Sequence, residues 1–457
     1  MPALGLAVMA DVAGEVTDLL QHLIRNECVN DGTPESGREV RSVDVLKSYL
    51  EGSGADLERY STGPGRENLV ARLEGSDPSA PSLLLLGHTD VVPASPDRWR
   101  HDPFGGELID GEVWGRGAID MLNITASMAV AVRRLASSGH GGVGFRPRGT
   151  LIYAAVADEE SQGRFGAAHL LEHERSAVLA DYVITESGGT PIDFGSGVRL
   201  PVLVGEKGTY WCRLRVRGTG GHASMPWGTD NAVLKAASVV QRLGSYQPPA
   251  LISDTWRTFV ARSGLPPELA ARLVSGETVG AALGELPFGL AQEAHASTHT
   301  TFAPTIVSGG VKTNVIPDRA EIEVDIRMLP GQTAASVEAM LLDALGAELW
   351  ADVEVVATDH GLPTSSPFDT PLWEVLERVS SRFYSGTPLV PQLCVGATDG
   401  RFFRAAGSVA YGYGLFSRRT SYDDYVRMFH GDDERVDVES LRLSTELWDA
   451  VGRDFLG

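Results

Sequence analysis

Basic residues are scarce in this chain: 39 lysines and arginines face 60 aspartates and glutamates, and the formal net charge is -21. The negative electrostatic field of such a chain repels phosphate backbones and anionic lipid surfaces. We therefore expect no nucleic-acid partner and no membrane partner. Because the field also disfavours an anionic small substrate, the carboxylate of such a substrate needs an arginine, a histidine or a metal ion beside it.

Cysteine is also rare, and no apolar run approaches the ~18 residues of a transmembrane helix. The three cysteines, Cys28, Cys212 and Cys394, are far apart and show no C-x-x-C spacing. This distribution argues against a disulfide framework and a zinc ribbon. The N-terminal residues lack the basic segment of a secretion signal. Together these absences predict a cytoplasmic protein with free thiols.

The chain is long enough for two domains, because 457 residues exceed the length at which a single hydrophobic core usually stops growing. Short apolar runs at 82–87, 150–157 and 181–185 alternate with amphipathic helical stretches such as 125–137 and 166–174. Apolar runs of this length between helices indicate strands that are buried on both faces. The sequence therefore predicts an α/β fold with a mixed, largely parallel sheet flanked by helices.

From about residue 205 the strands instead alternate apolar and charged residues, which is typical of an antiparallel sheet with one face in water. We expect arginines of the first such strand to pair with glutamates of another. The element order becomes βαββαβ, a ferredoxin-like unit. Its elements are strand 209–218, helix 230–244, strand 301–309, strand 320–328, helix 333–345 and strand 352–360.

This ferredoxin-like unit is predicted to be an insertion. Residues 1–204 and 363–457 form one domain in this interpretation, and residues 205–362 form the inserted one. Extra helical material at 248–299 interrupts the inserted unit. After the insertion we expect an amphipathic helix from residue 371, followed by short strands and loops.

Ionisable side chains follow each of the three apolar runs, at the strand ends where α/β proteins gather functional groups. They are His88, Asp90, Asp158, Glu159, Glu160 and Glu186, and a glycine-containing loop adds Asp120. Carboxylates close together raise one another's pKa unless cations are present. The pattern therefore predicts one or two divalent metal ions. Histidine nitrogen mixed with carboxylate oxygen suits Zn, Mn or Co, whereas Ca prefers oxygen alone.

A second zinc pattern lies at 169–173, where His169, Glu172 and His173 fit the H-x-x-E-H signature of inverzincins. The alternative interpretation is an exposed, charged helix face, and it is the favoured one. His295 and His299 are also four residues apart, but no acidic residue lies between them.

Seven segments, taken in order, resemble the M20 metallopeptidases. They are HTDVVP (88–93), WRHDPFGGELIDGEVWGRGAIDM (99–121), VADEE (156–160), TES (185–187), GTGGHASMP (218–226), KTNVIPDRAEIEVDIRMLPGQ (312–332) and HGDDE (430–434). The resemblance implies a zinc-exopeptidase-like fold with an inserted lid, and a homodimer formed through that lid. The sequence departs from the family pattern at Leu122 and Asn123, which replace a lysine and a glycine that are not metal ligands.

The resemblance also implies two divalent metal ions, zinc by preference and cobalt or manganese otherwise. Asp120 would bridge them, with one ion also held by His88 and Glu186 and the other by Glu160 and His430. Asp90 would orient the ring of His88.

The remaining implied roles concern the reaction. Glu159 would be the general base, and His222, reaching across from the partner subunit, would stabilise the oxyanion. Asn314 and Arg327 would bind the substrate, and Arg327 would supply the local cation.

These assignments imply a dinuclear zinc hydrolase that cleaves a peptide or N-acyl amide bond beside a free carboxylate. A carboxypeptidase or dipeptidase is slightly favoured over an N-acyl-amino-acid deacylase or desuccinylase. Two other hypotheses stay open: a single-zinc hydrolase at His169 and His173, and a non-catalytic relative that binds metal.

Overall fold

The computed structural model describes residues 2–137 and 145–457. The described strands are β1 (Asp56–Gly63), β2 (Arg66–Leu73), β3 (Leu83–His88), β4 (Glu107–Ile109), β5 (Glu112–Trp114), β6 (Leu151–Val156), β7 (Tyr182–Thr185), β8 (Ile192–Asp193), β9 (Val198–Glu206), β10 (Gly208–Arg217), β11 (Gly221–His222), β12 (Thr301–Gly309), β13 (Val315–Ile316), β14 (Arg319–Met328), β15 (Val353–His360), β16 (Thr364–Ser365), β17 (Leu389–Cys394), β18 (Val409–Gly412) and β19 (Arg435–Asp437).

The described helices are α1 (Pro2–Arg25), α2 (Val40–Leu50), α3 (Leu122–Ser137), α4 (Ala167–His173), α5 (Arg175–Val178), α6 (Ala232–Ser245), α7 (Asp254–Ser263), α8 (Pro267–Leu273), α9 (Val279–Ala282), α10 (Phe288–Thr298), α11 (Ala334–Trp350), α12 (Pro371–Phe383), α13 (Gly400–Ala405), α14 (Tyr422–Met428) and α15 (Val438–Leu456). None of these helices combines the length and apolar character needed to cross a bilayer.

A ten-stranded mixed sheet forms the centre of the molecule, with the strand order β1-β2-β6-β3-β7-β18-β9-β16. Strands β6, β3, β7 and β18 run parallel, and most of the strands outside this group pair antiparallel to their neighbours. Strand β17 also pairs with β9, in parallel. The predicted α/β class with a parallel centre is thus confirmed.

Both faces of the central sheet are buried, as the continuous apolar runs require. Along β3, Leu83 and Leu85 pack into the core beneath α1, α3 and α15, whereas Leu84 and Leu86 pack into a separate core with α4 and α13. Successive side chains of a strand point to opposite faces. A run of four leucines therefore supplies two cores at once.

The ferredoxin-like unit forms a second, four-stranded antiparallel sheet with the order β12-β14-β10-β15. Its apolar face packs on α6 and α11. On its other face Arg213 donates a hydrogen bond to Glu323 at 2.8 Å, and Arg215 donates one to Glu321 at 3.2 Å. The predicted cross-strand pairing of arginines with glutamates is confirmed.

The segment 248–299 packs away from this second sheet. Trp256, Phe259 and Val260 of α7 share an apolar core with Val390 of β17, a strand of the central sheet. The segment therefore extends the central domain physically while lying within the inserted sequence. The boundaries 1–204, 205–362 and 363–457 remain our proposal for the domains.

The C-terminal prediction of short strands and loops is wrong, because α15 is a helix of 19 residues. Its buried face carries Ser440, Ser444 and Thr445 among the leucines. These polar residues interrupt the apolar periodicity from which a helix is read. They are tolerated because their hydroxyls are hydrogen-bonded, as where the Ser444 hydroxyl donates to Leu415 O at 3.0 Å.

Candidate active site

Three neighbouring strands deliver their polar ends to one edge of the sheet. β6, β3 and β7 are adjacent and parallel, so their carboxyl ends meet at the same edge. His88 ends β3, Glu159 begins a single helical turn after β6, and Glu186 directly follows β7. The structure therefore brings together side chains that are up to 98 residues apart, counted from His88 to Glu186.

Asp120 lies between two histidines, one against each of its carboxylate oxygens. His88 Nε2 is 3.3 Å from Asp120 Oδ1, and His430 Nε2 is 3.3 Å from Asp120 Oδ2. His88 is buried, whereas the His430 side chain is 57% exposed. One carboxylate that faces two histidine nitrogens from its two oxygens has the arrangement required of a ligand shared by two metal ions.

The three glutamates complete this arrangement. His430 Nε2 is 3.1 Å from Glu160 Oε2. His88 Nε2 is 3.9 Å from Glu186 Oε2 and 4.0 Å from Glu159 Oε2. Glu160 thus lies on the His430 side of Asp120, while Glu159 and Glu186 lie on the His88 side.

The side chains by themselves form an unbalanced set of charges. Burial raises the pKa of Glu160 to about 7 and raises those of Glu159 and Glu186 well above the usual range. Hydrogen bonds to Asp120 and Glu160 raise the pKa of His430 to about 10. Burial lowers the pKa of His88, but the hydrogen bonds to Asp120 and Asp90, together with the charges of the neighbouring glutamates, raise it well above its usual value. A divalent cation bound here would neutralise the buried carboxylates and take the place of the protons on the two histidine nitrogens.

The donor atoms fit a metal ion. His88, Asp120 and Glu160 each offer an atom within 4.8 Å of the others, and so do His88, Glu159 and Glu186. Glu160 Oε1 is buried and has no hydrogen-bond partner among the described residues. A buried carboxylate with one oxygen against a histidine nitrogen and the other without a partner is what a metal site leaves when its side chains are considered alone.

Asp90 contacts the ring of His88 and also the backbone of Glu159 and Glu160. His88 Nδ1 is 3.0 Å from the backbone oxygen of Asp90 and 3.5 Å from its Oδ1. The Asp90 carboxylate also accepts hydrogen bonds from the backbone N–H groups of Glu159 and Glu160, both at 3.2 Å. Asp90 therefore connects the histidine of one strand end to the two glutamates of the next.

Backbone strain is concentrated at the same edge of the sheet. Asp158, Ser187 and His430 have φ values of +69°, +69° and +54°, in the left-handed region that non-glycine residues rarely adopt. Each lies within two residues of a glutamate of the cluster or is itself part of the cluster. Strain of this kind is typical of functional sites, where the surrounding structure holds it in place.

Glu434 is the residue that holds Asp120 in place, and sequence reasoning missed it. Its Oε1 accepts hydrogen bonds from the backbone N–H groups of Gly117, Ile119 and Asp120 at 3.1, 2.6 and 3.0 Å. Its Oε2 accepts one from Arg116 at 2.8 Å. The motif HGDDE contains this residue, but nothing local in that motif indicates a partner 318 residues away.

The lid residues lie apart from this cluster. His222 is exposed on β11, where its Nδ1 is 2.7 Å from the Ser224 hydroxyl. Asn314 is close to it, because the Asn314 backbone oxygen accepts a hydrogen bond from Ala223. Arg327 pairs with both oxygens of Asp325, at 2.7 and 3.0 Å. Within the described residues, no hydrogen bond or ion pair joins these lid side chains to the cluster.

Arg401 is a cation that sequence reasoning did not single out. Its charge acts on Glu159, whose raised pKa it partly offsets. The guanidinium donates to the backbone oxygens of Thr398 and Gln162, at 3.1 and 3.2 Å. The structure thus places a positive charge beside the predicted base, whereas the predicted cation Arg327 is paired within the lid.

The other two histidine pairs lie outside the cluster. His169 and His173 have ring centroids 4.4 Å apart on α4, and His173 and Glu172 are exposed. His295 and His299 stack at 4.5 Å, near Lys207. Leu122 and Asn123, at the start of α3, are buried, and Leu122 belongs to the main core.

The chain is similar to known proteins in sequence and in fold. The sequence model of Peptidase family M20/M25/M40 matches residues 84–453. The N-fatty-acyl-amino acid synthase/hydrolase PM20D1 of Xenopus tropicalis is 29% identical over 88% of this chain and 78% of its own length. Aminoacylase-1 of Sus scrofa is 26% identical over 90% and 89%. The crystal structure of human carnosine dipeptidase 1 has a TM-score of 0.70 at 17% identity and covers 98% of each chain.

Fold and site define a hydrolase that uses metal to act on C–N amide bonds. The chain belongs to peptidase family M20/M25/M40. The resemblance on which the sequence prediction rested is therefore confirmed.

Proposed function

We propose that the chain is a dinuclear zinc hydrolase that removes the acyl group from an N-acyl amino acid. The observation that supports the two-metal site is the position of Asp120, with His88 at one carboxylate oxygen and His430 at the other. His88, Asp120 and Glu186 would hold one ion, and Asp120, Glu160 and His430 the other. Nitrogen and oxygen donors in these numbers suit zinc, with cobalt or manganese as substitutes.

Two bound divalent ions would supply Lewis acidity for the amide carbonyl and lower the pKa of a shared water. Glu159 is the group that moves the proton in our proposal: its carboxylate takes a proton from the attacking water and gives it to the leaving amine nitrogen. Asp90 orients the His88 ring. His222, Asn314 and Arg327 bind the substrate when the lid approaches the site.

The relatives support the proposed substrate class. PM20D1 and aminoacylase-1, by their names, act on N-acylated amino acids, and they share 26–29% identity with this chain over about nine-tenths of its length. The dipeptidase is only 17% identical, so its likeness concerns the fold alone. This difference favours deacylation over the dipeptidase activity that the sequence slightly favoured. Peptide hydrolysis is the second candidate.

We also propose that the chain forms a homodimer through the lid. β12 is an edge strand of the lid sheet, and Ile306 and Val307 on it are 55% and 58% exposed. On the neighbouring α6, Val233 and Leu234 are exposed as well. Apolar side chains exposed side by side on an edge strand and its neighbouring helix are unusual in a monomer and are normally covered by another chain. A dimer formed here would let His222 of one subunit reach the site of the other.

The proposal is tested by metal analysis combined with a substrate panel. The panel contains acetyl-, succinyl- and long-chain acyl-amino acids beside dipeptides with free carboxylates. We expect two equivalents of zinc and the highest kcat/KM on an N-acyl amino acid. Glu159→Gln should keep both metal equivalents and lose turnover by a factor of about 10²–10⁴, because a general base contributes about that much.

Two outcomes would contradict the proposal. Two equivalents of zinc with no turnover on any member of the panel would favour a non-catalytic relative. Loss of activity in His173→Ala, together with full activity in Glu159→Gln, would move the chemistry to the helix that carries His169 and His173.

A further inference from the structure

Asn30 lies in the loop after α1 and contacts two carboxylates at the edge of the active site. The residue is 3% exposed. Its side-chain nitrogen is 2.8 Å from Asp90 Oδ2 and 3.1 Å from Asp158 Oδ1. Its backbone N–H donates to Val91 O at 2.9 Å, which fixes the loop against the end of β3. One amide group thus joins the ends of β3 and β6.

The chemistry around Asn30 defines which way its amide points. The nitrogen faces two carboxylates, which only accept hydrogen bonds when ionised. The oxygen faces three donors: Gly32 N at 3.1 Å, the Ser36 hydroxyl at 3.3 Å and Arg66 Nη2 at 3.4 Å. If the amide were flipped, its NH₂ group would face these three donors and its oxygen would face the two carboxylates. No other side chain of this size offers two donors on one side and a neutral acceptor on the other.

Both carboxylates held by Asn30 position the glutamates of the site. Asp90 accepts the backbone N–H groups of Glu159 and Glu160. Asp158 directly precedes those glutamates and has the left-handed φ of +69°. Its second oxygen accepts a hydrogen bond from Phe165 N at 3.1 Å, so its carboxylate is held from both sides. The direction in which the two glutamates leave the strand therefore depends on two carboxylates that share one amide.

Arg66 and Glu39 balance the charge behind this contact. Arg66 is 1% exposed and Glu39 is fully buried, and the two form an ion pair. Arg66 Nη1 also lies 3.6 Å from Asp158 Oδ1. With the charge of Arg66 already shared between Glu39 and Asp158, a carboxylate at position 30 would face the same guanidinium and add a negative charge that its single positive charge does not balance. The site therefore requires a neutral amide there.

We infer that Asn30 is a positioning residue, whose amide holds Asp90 and Asp158 in place and thereby aims Glu159 and Glu160 at the metal ions. The inference rests on the proposed function, since it concerns the same two-metal site. It assigns a role to the N-terminal segment, which contributes none of the proposed metal ligands.

The test compares Asn30→Asp and Asn30→Ala with a matched control. Asn30→Asp keeps the shape and sets a carboxylate oxygen against Asp90 and Asp158, whereas Asn30→Ala removes the contact without adding charge. The control is Asn26→Asp, four residues earlier, where the side-chain nitrogen donates to the Ser42 hydroxyl at 3.2 Å and to no other side chain among the described residues.

We expect the zinc affinity, measured by chelator competition, to fall by about 10–100-fold in Asn30→Asp and by less in Asn30→Ala, as for other residues that orient metal ligands. kcat should fall with KM little changed. In the metal-stripped protein, the amides of Glu159 and Glu160 should exchange hydrogen faster, because their acceptor Asp90 has moved. Asn26→Asp should leave all three measurements unchanged.

The inference is overturned if both Asn30 variants keep wild-type zinc affinity and amide exchange, even where their melting temperatures fall. Failure of the proposed function looks different, because the wild-type protein would then bind no zinc or turn over no substrate. The exchange measurement needs neither metal nor substrate, so it tests the positioning role in that case too.

Discussion

Replacing Glu434 tests whether the loop that carries Asp120 is held by a single buried carboxylate. Glu434 is fully buried and Arg116 is 2% exposed. The carboxylate accepts from three backbone N–H groups and from the Arg116 guanidinium. Glu434→Gln keeps the size of the side chain, but its new NH₂ group must face either the guanidinium or the backbone donors.

The expected cost follows from burial. Removing the charge of one partner leaves the Arg116 charge uncompensated in the interior, which costs about 3–5 kcal/mol. The matched control is Glu446→Gln, whose carboxylate pairs with Arg442 at 2.6 Å near the surface of α15. Arg442 keeps a second carboxylate partner, Glu439, at 2.6 Å, so loss of the Glu446 pair should cost less than about 1 kcal/mol.

Urea unfolding measures the free energies, and chelator competition measures zinc affinity. Because the loop sets the position of Asp120, zinc affinity should fall by about 10–100-fold in Glu434→Gln and stay unchanged in Glu446→Gln. Equal free energies of unfolding for the two variants, or wild-type zinc affinity in Glu434→Gln, would refute the reasoning.

Three further predictions concern the metal cluster and the lid. In the metal-stripped protein, the pKa of Glu160 is raised to about 7 and that of His430 to about 10. Between about pH 5 and pH 10 the folded state therefore binds more protons than the unfolded state. The free energy of unfolding should fall as the pH rises through this range. Urea unfolding at several pH values in that range measures the free energy of unfolding, and an increase with pH would contradict the prediction. Excess zinc should raise the free energy of unfolding most at high pH, where its ligands are deprotonated. Mixing the inactive variants His222→Ala and Glu159→Gln should restore up to about one quarter of wild-type activity, because only a mixed dimer holds one complete site. If activity does not recover after subunit exchange, His222 acts in the site of its own subunit. Val307→Lys should convert the dimer to a monomer, as measured by light scattering. The control is Leu108→Lys, which alters an exposed leucine on β4 and should leave the dimer intact. A Val307→Lys protein that stays dimeric would show that β12 is not the interface.

The fold was predictable from the sequence where local pattern and tertiary environment agree. The leucine run that ends at His88 indicated a strand buried on both faces, and the alternation in β10 and β14 indicated a sheet with one wet face and its arginine–glutamate pairs. The C-terminal helix was missed because its buried serines and threonine disguise the apolar periodicity. The Ser444 hydroxyl donates to Leu415 O on another element, whereas the Thr445 hydroxyl donates to Leu441 O within the helix, and the apolar pattern indicates neither bond.

What the sequence by itself determined is the chemistry at the strand ends: His88, Glu159, Glu160 and Glu186 follow apolar runs that fold into parallel strands, and such strands end at one edge. Only the tertiary structure decided what holds these groups in place. Glu434 is joined to Arg116 across 318 residues, and Asn30 to Asp90 across 60 and to Asp158 across 128. The reason is physical: a buried ligand needs neutralising and orienting partners, and any donor or acceptor that the fold brings within hydrogen-bond distance serves, wherever it lies in the chain.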